Sequence, residues 1–126
     1  MKLRIRGDSL RLRLTQTEVT KLVEAGRIEE STAFTGGGRF SYAVVFGGST
    51  VSAKLGSGGV EVVIPPDVAR AWAASDAVGI EAAEPTGDGR TLRIAIEKDF
   101  ACLKPREDED DSDAFPHPKA GTTTEC

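Results

Sequence analysis

The chain has 126 residues, 39% of them hydrophobic, and a formal net charge of −4. This length fits one domain, and this apolar content is sufficient for a buried core. No apolar run approaches the roughly 20 residues of a membrane-spanning helix, which excludes that class of protein. The first residues alternate basic and apolar side chains, unlike a signal peptide, so we predict a cytoplasmic protein of bacterial type without a membrane partner.

The charge is unevenly distributed and separates a folded part from an acidic end. Six of the seven residues from 107 to 113 are acidic, and prolines flank this run. Such a segment has too little apolar surface to offset the entropy lost on ordering. We therefore predict a single globular α+β domain over residues 1–103 and an acidic, disordered tail over residues 104–126.

Alternating apolar residues and turn residues predict the elements of the first half. The pair Thr15 and Glu18 forms a capping box that opens a helix, and Gly26 ends it. Residues 40–46 are nearly all apolar, which predicts a central strand. The predicted strands are residues 2–6, 10–14, 27–34 and 40–46, with a turn at Gly7-Asp8 and a glycine-rich turn at 35–39.

The same order of elements recurs about fifty residues later. We interpret it as a duplicated ββαββ unit, with pseudo-repeats at about 1–48 and 49–99. Neither half is large enough to bury its apolar face alone, so we expect a mostly antiparallel sheet or a flattened barrel covered by two short helices. The predicted elements are strands 51–55, 60–64, 78–84 and 91–99 and a helix from Pro65-Pro66 to Ser75-Asp76.

The first predicted hairpin carries a row of cations on one face. Because side chains alternate along a strand, five basic residues share that face: Lys2, Arg4, Arg6, Arg11 and Arg13. Like charges placed across a hairpin cost stability, so we interpret them as a candidate ligand- or anion-binding surface. Two-stranded ribbons of this kind contact nucleic-acid phosphates or anionic ligands. The alternative is an ordinary solvated strand face.

The sequence contains no motif for catalysis, a cofactor or a metal. The single histidine, His117, lies between two prolines of the predicted tail, and no GxSxG, HExxH or Walker motif occurs. Cys102 and Cys126 lack the CxxC spacing of a zinc site. We therefore predict a protein that is not an enzyme and has no cofactor. A small metal or thiol protein that uses Cys102 and the tail is a further alternative.

Residues 60–68, followed by residues 76–81, resemble the swapped-hairpin pattern of AbrB and MraZ. The shared pattern is a strand, Ile-Pro, a short helix, a turn and a second strand. The resemblance implies a DNA-binding transcriptional regulator that faces DNA with arginines near its first hairpin. Lys54 is the only cation in the first hairpin of the second half, which departs from that pattern.

The whole chain resembles a small bacterial family of unknown function. The resemblance is carried by residues 2–19 and by an ending that comprises residues 97–103, the Glu-Asp run and Phe115-Pro116. It implies no activity, but it implies that the segment from residue 100 to 118 belongs to the family pattern. Phe115 is then an anchor of the tail, with candidate contacts at Phe100, Cys102 and Leu103.

These observations favour a non-enzymatic binding or interaction module with the basic hairpin as its surface. We expect a homodimer or a protein partner, and a nucleic-acid partner only under the alternative of a DNA-binding regulator.

Overall fold

The computed structural model describes residues 1–100 and 113–116, where eight strands and two helices follow the predicted order. The unit ββαββ thus occurs twice along the described chain. The elements are β1 (Lys2–Arg6), β2 (Ser9–Leu14), α1 (Gln16–Ala25), β3 (Arg27–Ala33), β4 (Arg39–Phe46), β5 (Ser52–Gly56), β6 (Gly59–Ile64), α2 (Pro66–Ala73), β7 (Gly79–Pro85) and β8 (Thr91–Lys98).

The strands form two four-stranded sheets, and each sheet combines one hairpin from each half of the chain. The first sheet has the order β1-β2-β8-β7, and the second has the order β3-β4-β6-β5. The hairpin pairs are antiparallel, whereas the central pairs β2–β8 and β4–β6 are parallel. The predicted α+β class is confirmed, the sheets are mostly antiparallel, and the described strands form no closed barrel.

The two helices begin and end where local chemistry requires it. The side chain of Thr15 caps α1, and Gly26 ends the helix with φ at 73° and donates its N–H to the carbonyl of Leu22. Helix α2 follows Pro65 and buries Ala69 and Trp72. The longer helix has ten residues, and no helix in the described part is long and apolar enough to cross a bilayer.

Apolar residues from both halves meet in one buried cluster. Both sheets and both helices supply its fully buried members, and β4 holds the central position predicted for it. Since the cluster is shared, each half completes the burial of the other. The largest fully buried side chains are Leu12, Leu14, Leu22, Val44, Val62, Ile64, Ile94 and Ile96.

Candidate functional site

The pairing register gathers the five predicted cations on one face of the first sheet. Lys2 lies opposite Arg13, and Arg4 lies opposite Arg11. Arg6 shares this face because residues two apart on a strand point the same way. The leucines between the cations of β2 are buried, so the basic face points away from the core.

Strand β8 adds a sixth cation that the sequence pattern did not identify. The parallel pairing of β2 with β8 places Arg93 beside Ser9 and Ala95 beside Arg11. Arg93 therefore lies on the basic face. The alternation of Arg93 with buried Ile94 was readable in the sequence, but the neighbouring strand was not. Local alternation cannot reveal that two strands so distant in sequence pair directly.

Large and small side chains alternate across β2 and β8 and leave a depression between them. Ser9 and Ala95 lie on one diagonal, and Arg11 and Arg93 lie on the other. The two small residues form the floor of a cavity of about 320 Å³. The charged side chains that line this arginine depression are Arg4, Arg6, Arg11, Arg93 and Glu81.

Acidic partners neutralise the end of the basic face that lies away from the hairpin turn. The ammonium of Lys2 lies 3.3 Å from Asp99. Arg11 and Arg13 share one oxygen of Glu97, at 3.5 Å and 3.4 Å. The positive charge at this end is therefore largely compensated.

The other end of the basic face lacks such compensation. Asp8, the acid at the hairpin turn, binds Arg90 through two hydrogen bonds of 2.9 Å and 2.8 Å. Within the described chain, no ion pair forms at the side chains of Arg4, Arg6 and Arg93. The uncompensated charge therefore surrounds the arginine depression.

The second sheet has a depression of about 300 Å³ in the corresponding place, and its charges are balanced. Lys54 lies opposite Glu61. Arg27 donates to Glu61 at 3.1 Å and to Glu29 at 2.6 Å, and these hydrogen bonds raise the pKa of its guanidinium. Of these two depressions, the arginine depression is the one with a surplus of positive charge.

A short C-terminal segment, residues 113–116, contacts the start of α1. The carbonyl of Asp113 accepts from the N–H of Gln16 at 3.0 Å, and its carboxylate accepts from the hydroxyl of Thr17 at 3.0 Å. Hydrogen bonds from Thr15 and Thr17 hold the pKa of Asp113 below its ordinary value. The segment thus supplies acceptors to N–H groups that a helix start leaves unsatisfied.

Phe115 anchors this segment at the end of β8. Its N–H donates to the carbonyl of Asp99 at 2.7 Å, and its ring meets Phe100 edge-on at 5.7 Å. The ammonium of buried Lys98 lies 5.3 Å from the Phe115 ring. Phe100 and Phe115, two of the candidate tail contacts, are thus adjacent. The other two candidates, Cys102 and Leu103, lie outside the described residues, as do His117, Cys126 and most of the acidic run.

A second charged cluster surrounds the α-amino group of Met1. This group donates to Glu18 and, at 2.6 Å, to Glu30, which also accepts from the hydroxyl of Tyr42 at 3.1 Å. Burial acts to lower the pKa of the amine, but the hydrogen bonds to Glu18 and Glu30 outweigh it and raise that pKa. Burial acts to raise the pKa of Glu30, but the hydrogen bonds to its carboxylate outweigh it and lower that pKa.

The arrangement offers no metal site in the part of the chain that the structure covers. Among residues 1–100 and 113–116, no group of three or more His, Cys, Asp or Glu side chains is placed to hold a metal ion. Cys102, on which the metal or thiol alternative depends, lies beyond these residues.

Comparison with known proteins identifies one family. The model of a family of unknown function (DUF7009) matches residues 1–119, which include both sheets, both helices and the docked segment 113–116. No curated protein and no solved structure matches the chain. The predicted resemblance to a family of unknown function is therefore confirmed, and the similarity to AbrB and MraZ stays a prediction.

Proposed function

Because the chain belongs to DUF7009, a family of unknown function, we propose a function from its own geometry: a non-enzymatic binding module for an anionic ligand. The binding surface is the basic face of the first sheet, and the arginine depression is its centre. One observation carries the proposal. Arg4, Arg6 and Arg93 surround a cavity, and no acid of the described chain pairs with them.

The arrangement carries an energetic penalty in the free protein. Arg4 and Arg11 lie directly opposite each other, and such like-charged pairs destabilise a sheet by roughly 0.2–1 kcal/mol. The scaffold itself does not require two cations there, because the second sheet sets Glu61 opposite Lys54. A bound anion replaces the repulsion with charge-assisted hydrogen bonds, each contributing about 1.5–3 kcal/mol.

Calorimetric titration with a panel of anions tests this proposal. The panel contains inorganic phosphate, citrate and heparin, and the titrations are run at low salt so that screening is weak. We expect binding by the unmodified protein and an affinity at least about tenfold lower in Arg4→Gln, equivalent to about 1.4 kcal/mol.

Lys54→Gln is the matched control, since Lys54 holds on β5 the place that Arg4 holds on β1. It removes the same charge from the other sheet and should bind the panel normally. The proposal fails if none of the three anions binds, or if both variants lose affinity equally.

The second candidate function is a swapped-hairpin DNA-binding regulator, and the sheet topology supports it. The first hairpin of each half pairs with the second hairpin of the other half. The two halves thus exchange hairpins, which is the arrangement expected of a swapped-hairpin fold. A gel-shift titration with duplex DNA tests it. Regulatory binding predicts an affinity that falls with salt, with a logarithmic slope of about −0.9 for each phosphate contacted. A salt-independent or undetectable shift rules this candidate out.

Three further expectations accompany the proposal: a cytoplasmic location, a duplicated ββαββ origin, and a homodimer or protein partner. The recurrence of the element order and the corresponding depressions on the two sheets support the duplication.

A further inference from the structure

We infer that the arginine depression binds one phosphomonoester group of a small hydroxylated molecule, an inference that rests on the proposed function. It follows from three features of the depression: the confinement of its charge, the positions of its arginines and the presence of one carboxylate on its rim.

The uncompensated charge is confined to one end of the basic face. Lys2 and Arg13, at the other end, are held by Asp99 and Glu97. A polymer with phosphates along its length needs cations along its whole path, whereas a compact dianion needs one cluster. The cavity of about 320 Å³ is also the size of a small-molecule site, since such sites begin near ~300 Å³.

The arginines approach the floor of the depression from two sides. Arg6 and Arg93 lie opposite Ser9, on the two strands that flank it. Arg4 lies on the same strand as Arg6 and points to the same face. Neighbouring strands are about 4.8 Å apart and alternate residues about 6.7 Å, so the long side chains reach a group placed over Ser9. A guanidinium offers two parallel donors that match two phosphate oxygens.

Ser9 contributes space rather than a hydrogen-bond donor. Its hydroxyl donates to the carbonyl of Arg6 at 2.6 Å and is therefore already engaged. Recognition of the phosphate thus falls to the arginine side chains.

Glu81 indicates that the ligand carries more than an anion. This residue of β7 lies opposite Ala95 and lines the depression beside the arginines. A carboxylate repels a phosphate but accepts hydrogen bonds from hydroxyl groups. A ligand with a phosphate over Ser9 and a hydroxyl toward Ala95 satisfies both kinds of lining residue.

Titration calorimetry with four small probes tests the inference: glycerol 1-phosphate, inorganic phosphate, dimethyl phosphate and glycerol. We expect glycerol 1-phosphate to bind most tightly. Dimethyl phosphate should bind at least about tenfold more weakly, because a diester carries one charge and offers fewer terminal oxygens. Glycerol alone should not bind, because its hydroxyls lack the charge-assisted contacts.

The pH dependence identifies the dianion as the bound form. The second pKa of a phosphomonoester is about 6, so binding should weaken when the pH is lowered through that value. The cations that face the ligand are Arg4, Arg6, Arg11 and Arg93. Guanidinium groups keep their charge at any pH at which a protein is ordinarily studied. Glu81 also faces the ligand, so the titration is repeated with Glu81→Gln, in which the same weakening should persist.

Two variants and one control separate the roles of the lining residues. Arg93→Gln should weaken binding of glycerol 1-phosphate at least about tenfold, whereas Lys54→Gln on the second sheet should leave it within about twofold. Glu81→Gln should bind inorganic phosphate more tightly and lose the preference for glycerol 1-phosphate over inorganic phosphate.

The outcomes distinguish this inference from the proposed function. If heparin or duplex DNA binds the basic face and glycerol 1-phosphate does not, the inference is overturned and the proposed function stands. If no anion binds, both are overturned. Equal affinity for glycerol 1-phosphate and dimethyl phosphate also overturns the inference.

Discussion

The buried amine of Met1 is the residue-scale feature with the clearest consequence for stability. It binds Glu18 and Glu30 and so joins the start of β1 to α1 and β3. Glu18 has a second role, because its carboxylate also accepts from the backbone N–H of Thr15 at 2.9 Å. One side chain therefore completes both a helix cap and a charge network.

We expect stability to be greatest between pH 4.5 and pH 8.0, the ordinary pKa values of the two shifted groups. The pKa of the Met1 amine is raised, so its contribution is complete below 8.0 and is lost as pH rises through the folded value. The pKa of Glu30 is lowered, so its contribution is complete above 4.5 and is lost as pH falls through the folded value. Urea denaturation from below pH 4.5 to above pH 8.0 measures the effect, as a loss of stability on either side of this range.

The variant Glu18→Gln assigns the alkaline limb. Glutamine keeps an acceptor for the cap but removes the charge, so we expect a loss of about 1–2 kcal/mol near neutral pH and a flatter alkaline limb. Glu24→Gln, on the exposed side of the same helix, should change stability by less than about 0.5 kcal/mol. An unchanged alkaline limb in Glu18→Gln refutes the assignment.

At the scale of elements, the parallel pair β4–β6 depends on one glycine. Gly59 has φ at 151°, and a Cβ there would lie 1.7 Å from the carbonyl oxygen of Ser41. Ser9, at the corresponding start of β2, accommodates a side chain beside Arg93. The two sheets are therefore similar in pairing but differ in how closely the central strands approach at this point.

Gly59→Ala should destabilise the protein by at least about 3 kcal/mol, because backbone atoms of β4 must move to admit the methyl group. Gly58→Ala, one residue earlier in the same turn, meets no atom within 4 Å and should cost less than about 1 kcal/mol. Thermal unfolding of both variants provides the comparison. Similar melting temperatures for the two would be inconsistent with the close approach of the strands.

At the scale of elements, the docked segment 113–116 also stabilises the fold, because it contacts the start of α1 and Phe100 after β8. Phe115→Ala removes a half-buried ring that contacts Phe100 and Lys98, and we expect a loss of about 2 kcal/mol. Hydrogen exchange should also accelerate at the N–H groups of Gln16 and Thr17, which Asp113 protects. Phe34→Ala, at a ring that is 59% exposed, is the control and should change neither quantity. Unaltered exchange in Phe115→Ala contradicts the docking.

At the scale of the whole molecule, the sequence predicted the elements but not their partners. The alternation in β2, the capping box at Thr15 and the helix end at Gly26 are local patterns, and all three form as predicted. The pairing of β2 with β8 joins distant parts of the chain and leaves no local trace.

The candidate site, too, was predictable only where it depends on local patterns and not on the pairing of distant segments. The five hairpin cations are predictable from alternation, and the register places them together. The pairing with β8 then changes how positive charge is distributed over the basic face. Glu97 neutralises Arg13, whereas Arg93 adds a charge near the hairpin turn. The site thus moves from the whole hairpin to a depression at one end of it.

A trade-off between stability and binding follows from the concentrated charge. Arg4→Gln should raise the stability of the free protein by roughly 0.2–1 kcal/mol, because it removes the repulsion from Arg11. Lys54→Gln should act in the opposite direction, because it removes an attraction to Glu61.

A bound ligand should stabilise the unmodified protein more than the variant. At a hundredfold excess over Kd, glycerol 1-phosphate should raise the stability of the unmodified protein by about 2.7 kcal/mol. It should raise the stability of Arg4→Gln by less. Urea denaturation of the unmodified protein, Arg4→Gln and Lys54→Gln, with and without ligand, measures these differences in stability. A Lys54→Gln variant that is more stable than the unmodified protein would contradict the predicted trade-off.

An NMR titration of the isotope-labelled protein with inorganic phosphate tests the central claim most directly. The amides of Ser9, Arg11, Arg93 and Ala95 surround the arginine depression, and we predict that their resonances shift in a saturable manner. The amides of Ala43 and Glu61 line the balanced depression of the second sheet and should not move. Shifts that are absent at the first set, or equal at both sets, would show that the arginine depression is not an anion site.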